Sequence, residues 1–205
     1  MSNIITISRE FGSGGRELAK RLAEKLNYKY YDKEIISEMA KKSNFDERYI
    51  ESIGMLSNDD FPYTTSKSFS LYSAHQKQAT EILVLEQKII KELAKKSNCV
   101  FVGRCADVIL AEYNPLNIFV YADTESKLNR CKQKAPKDEN YTDRQLLRKI
   151  KAVDKSRQRQ SLLIGADNWG KKESYNLCIN TTGFEIKNLV PAVYSYAKTY
   201  FEEKK

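Results

Sequence analysis

Histidine is almost missing from the chain. Its 205 residues include a single one, His75. A zinc centre built on several histidines is therefore excluded, and any Ser-His-Asp or Cys-His relay would have to pass through that one position. His75 itself reads as a polar residue ahead of a helix. Cysteine is scarce too: Cys99, Cys105, Cys131 and Cys178 show no C-x-x-C spacing. No secretory apolar region precedes them, which argues for reduced, mostly buried thiols in a cytoplasmic protein. No apolar run approaches the ~20 residues that a membrane-spanning helix needs. Internal repeats and low-complexity tracts are lacking as well.

What remains for chemistry is Arg, Lys, Asp and Glu. The 35 Lys+Arg outnumber 27 Asp+Glu for a formal charge of +8, which suits anionic ligands, phosphate first among them. The excess does not make a nucleic-acid patch, because the basic residues are spread through helical stretches among Glu and Asp; only 142–163 offers a basic face. The length excludes a small disulfide-stapled module and fits one domain over 1–205.

Ile4-Ile5-Thr6-Ile7 is a short β-branched run that reads as a buried strand. Phe11-Gly12-Ser13-Gly14-Gly15 follows. From Arg16 to Leu26 the apolar positions Leu18, Ala19, Leu22, Ala23 and Leu26 recur at helical spacing. Further helices are expected over 33–42, 80–95, from about 124, over 142–163 and from 186. Strands are expected at 99–102, 116–122 and 177–180. Residues 43–75 lose the period and carry Phe61, Tyr63, Phe69 and Tyr72. They read as an insertion at about 43–78 whose rings either stack a base or pack on one another. A polar gap at 134–140, flanked by Arg130, Arg144 and Arg148, marks an expected lid at about 130–148. Strands alternating with helices predict parallel βαβ units, hence a three-layer α/β/α fold with ligands at the carboxyl ends of the strands.

The glycines at 12, 14 and 15 between strand and helix permit a tight turn whose N–H groups converge on an anion; a purely structural turn is the alternative. In the P-loop pattern G-x-x-x-x-G-K-[ST] the Lys reaches the outer phosphates and the hydroxyl holds magnesium. Aligned on Gly15, this chain has Glu10 at the first Gly, Arg16 at the Lys and Glu17 at the Ser/Thr. Arg16 retains a positive charge with a fork that can bridge two phosphate oxygens. Glu17 either ligates a cation or complements the helix dipole while facing away.

The chain resembles the nucleoside monophosphate kinases among the P-loop NTPases, most closely the cytidylate kinase-like family. The likeness lies in Ile4 to Leu26, IITISREFGSGGRELAKRLAEKL, followed by Tyr31-Asp32-Lys33-Glu34, and in VFVGR from Val100 to Arg104. It continues in LNIFVYAD from Leu116 to Asp123, in Asp154-Lys155-Ser156-Arg157, which matches a D-x-x-R, and in LCINTT from Leu177 to Thr182. Val102 and Cys105 stand where that family has Asp on either side of its strand-end G-R, and Lys33 and Glu34 replace two residues of its D-T-G turn. No metal ligand is assigned.

The resemblance implies a P-loop kinase fold and ATP with Mg2+ as cofactors. Gly12, Ser13, Gly14, Gly15, Arg16 and Glu17 would bind the donor phosphates. Asp32, Arg104, Asp154 and Arg157 would bind a small nucleotide acceptor such as CMP or dCMP, and Arg16, Arg130 and Arg148 would act in catalysis. On the residues alone Arg104 is a ligand or half of an ion pair, and Asp154 and Arg157 bind ligand together or bind each other. Each arginine around 134–140 acts on phosphate or is solvated surface. Asp107 takes a polar role or faces solvent, and Trp169 is a loop anchor on the core. The competing functions are a non-catalytic nucleotide binder or sensor and a kinase of a non-nucleotide small molecule. The sequence leaves the acceptor and the oligomeric state open.

Overall fold

The computed structural model describes residues 2–43, 45–53, 66–135 and 141–204, and only the backbone at 51–53 and 66–76. The elements run β1 (Ile4–Arg9), α1 (Gly15–Leu26), β2 (Lys29–Tyr31), α2 (Glu34–Lys42), α3 (Glu47–Ile53), α4 (Ser66–Lys96), β3 (Cys99–Val102) and α5 (Ala106–Ile109). They continue with β4 (Leu116–Tyr121), α6 (Thr124–Lys134), α7 (Asp143–Leu163), β5 (Leu177–Asn180) and α8 (Ile186–Glu203). The five strands form one parallel sheet in the order β2-β3-β1-β4-β5. β1 is central, with Ile7 opposite Val102 on one side and Ile118 on the other. The chain leaves β1 toward β2 and β3 in one direction and reaches β4 and β5 in the other, so the ligand crevice of such sheets falls at the end of β1.

Alternation along the strands sorts the core into two layers. Ile5, Ile7, Val100, Val102, Ile118 and Val120 meet Leu18 and Leu22 of α1 and Val190 and Val193 of α8 on one face. Ile4, Cys99 and Phe101 meet Ile35, Ile36 and Met39 of α2 and Ile82, Ile89 and Ile90 of α4 on the other. Both faces are covered, as a parallel sheet requires. Leu18 and Leu22 are fully buried, so truncating either to Ala costs about 2–5 kcal/mol.

Several details depart from the sequence expectations. β2, three residues at the sheet edge, was not expected. Within 43–75, Glu47–Ile53 is helical, and α4 starts at Ser66 rather than near 80. Once the periodic part of α4 is nucleated, each added residue gains a hydrogen bond, so the helix continues through a serine-rich stretch with no apolar stripe. His75 lies in that stretch, its side chain outside the described residues, as are 54–65 and 136–140. Of the cysteines only Cys99 is buried, while Cys178 is exposed. Asp107 is buried and accepts from Asn168 Nδ2 at 3.2 Å. Trp169 packs edge-on to Phe119. Among the described residues no helix is long and apolar enough to cross a membrane.

Candidate active site

The central strand β1 ends at Arg9, and the turn that follows is tied down at nearly every residue. Glu10 N–H donates to Val120 C=O at 2.9 Å, and Phe11 N–H donates to Asp154 Oδ1 at 2.7 Å. Arg157 Nη1 reaches Arg9 C=O at 2.8 Å, and Thr181 Oγ1 donates to Ser13 C=O at 2.7 Å. Gly12 and Gly14 have φ of 79° and 83°, the left-handed region that favours glycine. Gly14 is the N-cap of α1, and the first intrahelical bond runs from Leu18 N–H to Gly14 C=O. The N–H groups of Arg16 and Glu17 are thus left at the helix N-terminus without an intrahelical acceptor. Within the turn Ser13 N–H is taken by Glu10 C=O and Gly15 N–H by Ser13 Oγ, each at 3.4 Å, so the N–H groups of Arg16 and Glu17 are the ones the helix start offers to an anion.

The turn's conformation also corrects the alignment of its motif. The last glycine that needs positive φ is Gly14, not Gly15, which is the first helical residue. Aligned on Gly14, the pattern puts Arg9 at the first Gly, Gly15 at the Lys and Arg16 at the Ser/Thr. Three glycines within four residues conceal which of them is the conformational one.

Arg9, which sequence reasoning passed over, lies at the centre. Burial first, and then Arg157, push its guanidinium down to about 9, with Arg16 and Arg104 acting in the same direction and Asp32 opposing them. Around it the expected site residues take different places. Arg16 Nε pairs with Asp32 Oδ2 at 2.6 Å, and buried Asp32 also accepts from Tyr30 Oη at 3.3 Å. Arg157 pairs with Asp154 at 3.2 Å, so these two bind each other and, through Phe11 and Arg9, the base of the turn. Burial pushes the Asp154 carboxyl up and the Arg157 guanidinium down. Arg104 pairs with Glu86 at 3.1 Å, and burial holds the Glu86 carboxyl above its ordinary range. Glu17 lies between Lys134 at 2.9 Å and Arg21 at 3.0 Å, and the Lys134 hydrogen bond lowers its pKa.

Of the arginines around the expected lid, Arg130 lines the cavity along the turn, whereas Arg144 and Arg148 line neither of the two cavities. Arg130 spends its donors on Thr181 C=O, Phe184 C=O at 3.0 Å and Ser13 C=O at 3.4 Å. Arg144 and Arg148 are exposed on α7. Lys149, one residue along from Arg148 and likewise exposed, lines both cavities, as does Arg157 of the same helix. Extending the helical spacing back from Arg157 through 153 to 149 would have found Lys149.

Two cavities open at this end of the sheet. One, of about 300 Å³, runs along the glycine-rich turn between α1, α6 and α7, with Tyr141 and Leu146 in its wall. The other, of about 570 Å³, lies beyond β3 and is lined by Asp32, Arg104, Asp107, Gln160 and Trp169 among others. Arg9, Phe11, Arg16, Lys149 and Arg157 belong to the walls of both. The first cavity fits a phosphate tail: a helix N-terminus, the N–H groups of Arg16 and Glu17, and cations on several sides. A magnesium ion held by the chain does not fit. The P-loop hydroxyl position bears Arg16, Glu10 is paired with Lys127 at 2.9 Å and Glu17 with two cations. No three metal-ligating side chains converge among the described residues.

Residues 4–183 match the family model described as the cytidylate kinase-like family. A cytidylate kinase from Archaeoglobus fulgidus is 27% identical over 190 residues, 92% of this chain and 91% of that one. An uncharacterized protein from Eubacterium ventriosum shares the structure with a TM-score of 0.69 at 25% identity, over 96% of this chain and 99% of its own. A shikimate kinase from Bacteroides thetaiotaomicron matches with a TM-score of 0.54 at 14% identity, over 96% and 98%, a likeness of fold alone. The architecture is that of a P-loop kinase, and the chain belongs to the cytidylate kinase-like family.

Proposed function

We propose that the protein transfers the γ-phosphoryl group of ATP to a small phosphorylated acceptor, with CMP or dCMP the first to try. The observation that carries this reading is the shared wall: two cavities meet across Arg9, Arg16, Lys149 and Arg157. Phosphoryl transfer asks a protein for alignment and charge neutralisation more than for covalent chemistry. The turn cradles the donor phosphates while Arg104 and Asp32, which line the second cavity, orient the acceptor. An acceptor phosphate oxygen attacks the γ-phosphorus as the bond to the β-phosphate oxygen breaks, and ADP leaves with that electron pair. The nucleophile is already anionic, so no histidine base is needed. Magnesium would enter with the nucleotide and not on carboxylates of the chain. The segment around 130–148 serves as the lid.

A coupled ADP-release assay over the nucleoside monophosphates tests this. Turnover with at least one of them is expected, whereas ATP binding without turnover on any would refute it. The replaced Lys and Ser/Thr positions favour one alternative, a nucleotide-binding protein without catalysis. That reading predicts ATP affinity indifferent to Mg2+ and no ADP release.

A further inference from the structure

We propose that the Arg9 guanidinium is the cation that meets the terminal phosphate of the nucleotide, in place of the lysine that a P-loop supplies from the start of its helix. The inference rests on the nucleotide-binding part of the reading above and not on turnover.

Gly15 occupies the lysine position with a backbone that any residue can adopt, since its φ is not among the positive ones. What crowds a side chain there is first of all Arg9, because a Cβ on Gly15 would come within 2.6 Å of Arg9 Cβ and 3.1 Å of its Cγ, with Val120 Cβ next at 3.2 Å. On the far side, a Cβ on Gly103 at the end of β3 would fall on Arg9 Nη1. The side chain therefore runs from the last residue of β1 between two glycines, each of which makes room for it. Its position on the central strand brings the guanidinium into the wall common to both cavities, which a phosphoryl group passing from donor to acceptor must cross.

The second observation concerns its partners. Arg16, Arg104 and Arg157 each have a carboxylate within ion-pair distance, Asp32, Glu86 and Asp154 in turn. Arg9 has none: among the described residues no hydrogen bond or ion pair engages its side chain, although it carries five N–H donors. Its charged neighbours are three guanidinium groups and Asp32, and Asp32 is already bound to Arg16. Arg9 is only half-buried and among the described residues no buried side-chain nitrogen is left unpaired, so its free donors open onto the cavities, where a ligand anion can take the place of water. A phosphate facing the turn's N–H groups supplies that anion, with a geometry that suits the planar fork.

Swapping the two positions tests the idea. Arg9→Gly, Gly15→Lys and the double variant Arg9→Gly/Gly15→Lys are titrated with ATP and with AMP by calorimetry. Arg9→Gly is expected to weaken ATP binding about tenfold to a hundredfold while AMP changes by less than about twofold. Gly15→Lys alone is expected to weaken ATP binding as well, because it crowds Arg9. The double variant, with a lysine at its P-loop position and the closest obstruction gone, recovers ATP affinity to within about threefold of the parent. Equal losses for ATP and AMP in Arg9→Gly, or a double variant no better than Arg9→Gly, would overturn the proposal. So would a parent that binds ATP no more tightly than AMP. Should Arg9→Gly fail to fold, Arg9→Gln carries the same ATP-against-AMP comparison. ATP binding without turnover in the parent defeats the kinase reading and leaves the role of Arg9 to be decided by the affinity split.

Discussion

The floor and the rim of the cleft at the end of β1 hold their cations in opposite ways. On the floor, Arg9 has no acceptor among the described residues, and Arg16 and Arg157 face the same space while paired with Asp32 and Asp154. At the rim, Arg130 is spent on backbone carbonyls, and Arg148 is exposed on α7. Positive charge counts for a phosphate only where donors remain to be given, so a basic stretch in the sequence and a cationic site in the fold are different things. Arg9 is fixed by the sheet and Arg157 by the base of the turn, while the more exposed Arg16 is held by Asp32. The rim arginines fix other parts of the chain.

Breaking the floor produces the largest effects. Arg9→Gly heads the series with its selective loss of ATP affinity. Asp154→Ala comes next, because it releases both Phe11 N–H and Arg157 from the base of the turn. Turnover on the best acceptor is expected to fall about tenfold to a hundredfold, measured as kcat/KM, with a stability loss of about 1–3 kcal/mol in urea denaturation. Arg130→Ala reverses that balance. Stripping the Thr181 and Phe184 carbonyls of their donor costs about 1–3 kcal/mol of stability, whereas AMP and ATP affinity shift together and little.

Electrostatics beside the second cavity give a smaller, pH-dependent effect. Glu86 is held above its ordinary 4.5 by burial, against Arg104. The folded state therefore binds the Glu86 proton more tightly than the unfolded chain does. Its contribution to stability is complete below the unfolded value and is lost as pH rises through the folded value. Glu86→Gln removes that slope, so the difference in Tm between parent and variant should change as pH rises above 4.5. At the foot of the series stand two adjacent residues of α7. Lys149→Ala lowers ATP affinity several-fold, and Arg148→Ala leaves it within about twofold. Equal effects from the pair would erase the distinction between floor and rim.

Much of the scaffold was legible because its signals are local. The apolar spacing of Leu18, Ala19, Leu22 and Ala23 marked α1, and the run at 177–180 coincides with β5 at both ends. The Thr142 cap closes a capping box with Gln145 where a helix was expected to begin. β2 was not legible, since Lys29-Tyr30-Tyr31 is too short for a period and its strand character comes from pairing with β3. The site was legible in part. Glycines between a strand and a helix indicated an anion cradle, but which glycine needs positive φ is a property of the folded turn, and that choice shifts the motif by one residue. Arg9 stayed hidden for the same reason, lying just outside the window set on Gly15. Its importance depends on Gly103, more than ninety residues away in the chain and adjacent in the sheet. The pairing of Arg104 with Glu86 is likewise a tertiary fact, joining the end of β3 to α4.

The claim that two phosphorylated molecules meet across one guanidinium wall is tested most directly with a two-headed ligand, adenosine and cytidine joined by a pentaphosphate chain. Titrated into the full-length protein, it should bind one to one, more tightly than ATP, and displace both ATP and CMP, because a single tether occupies both cavities. Binding no tighter than ATP, with CMP left in place, would contradict it.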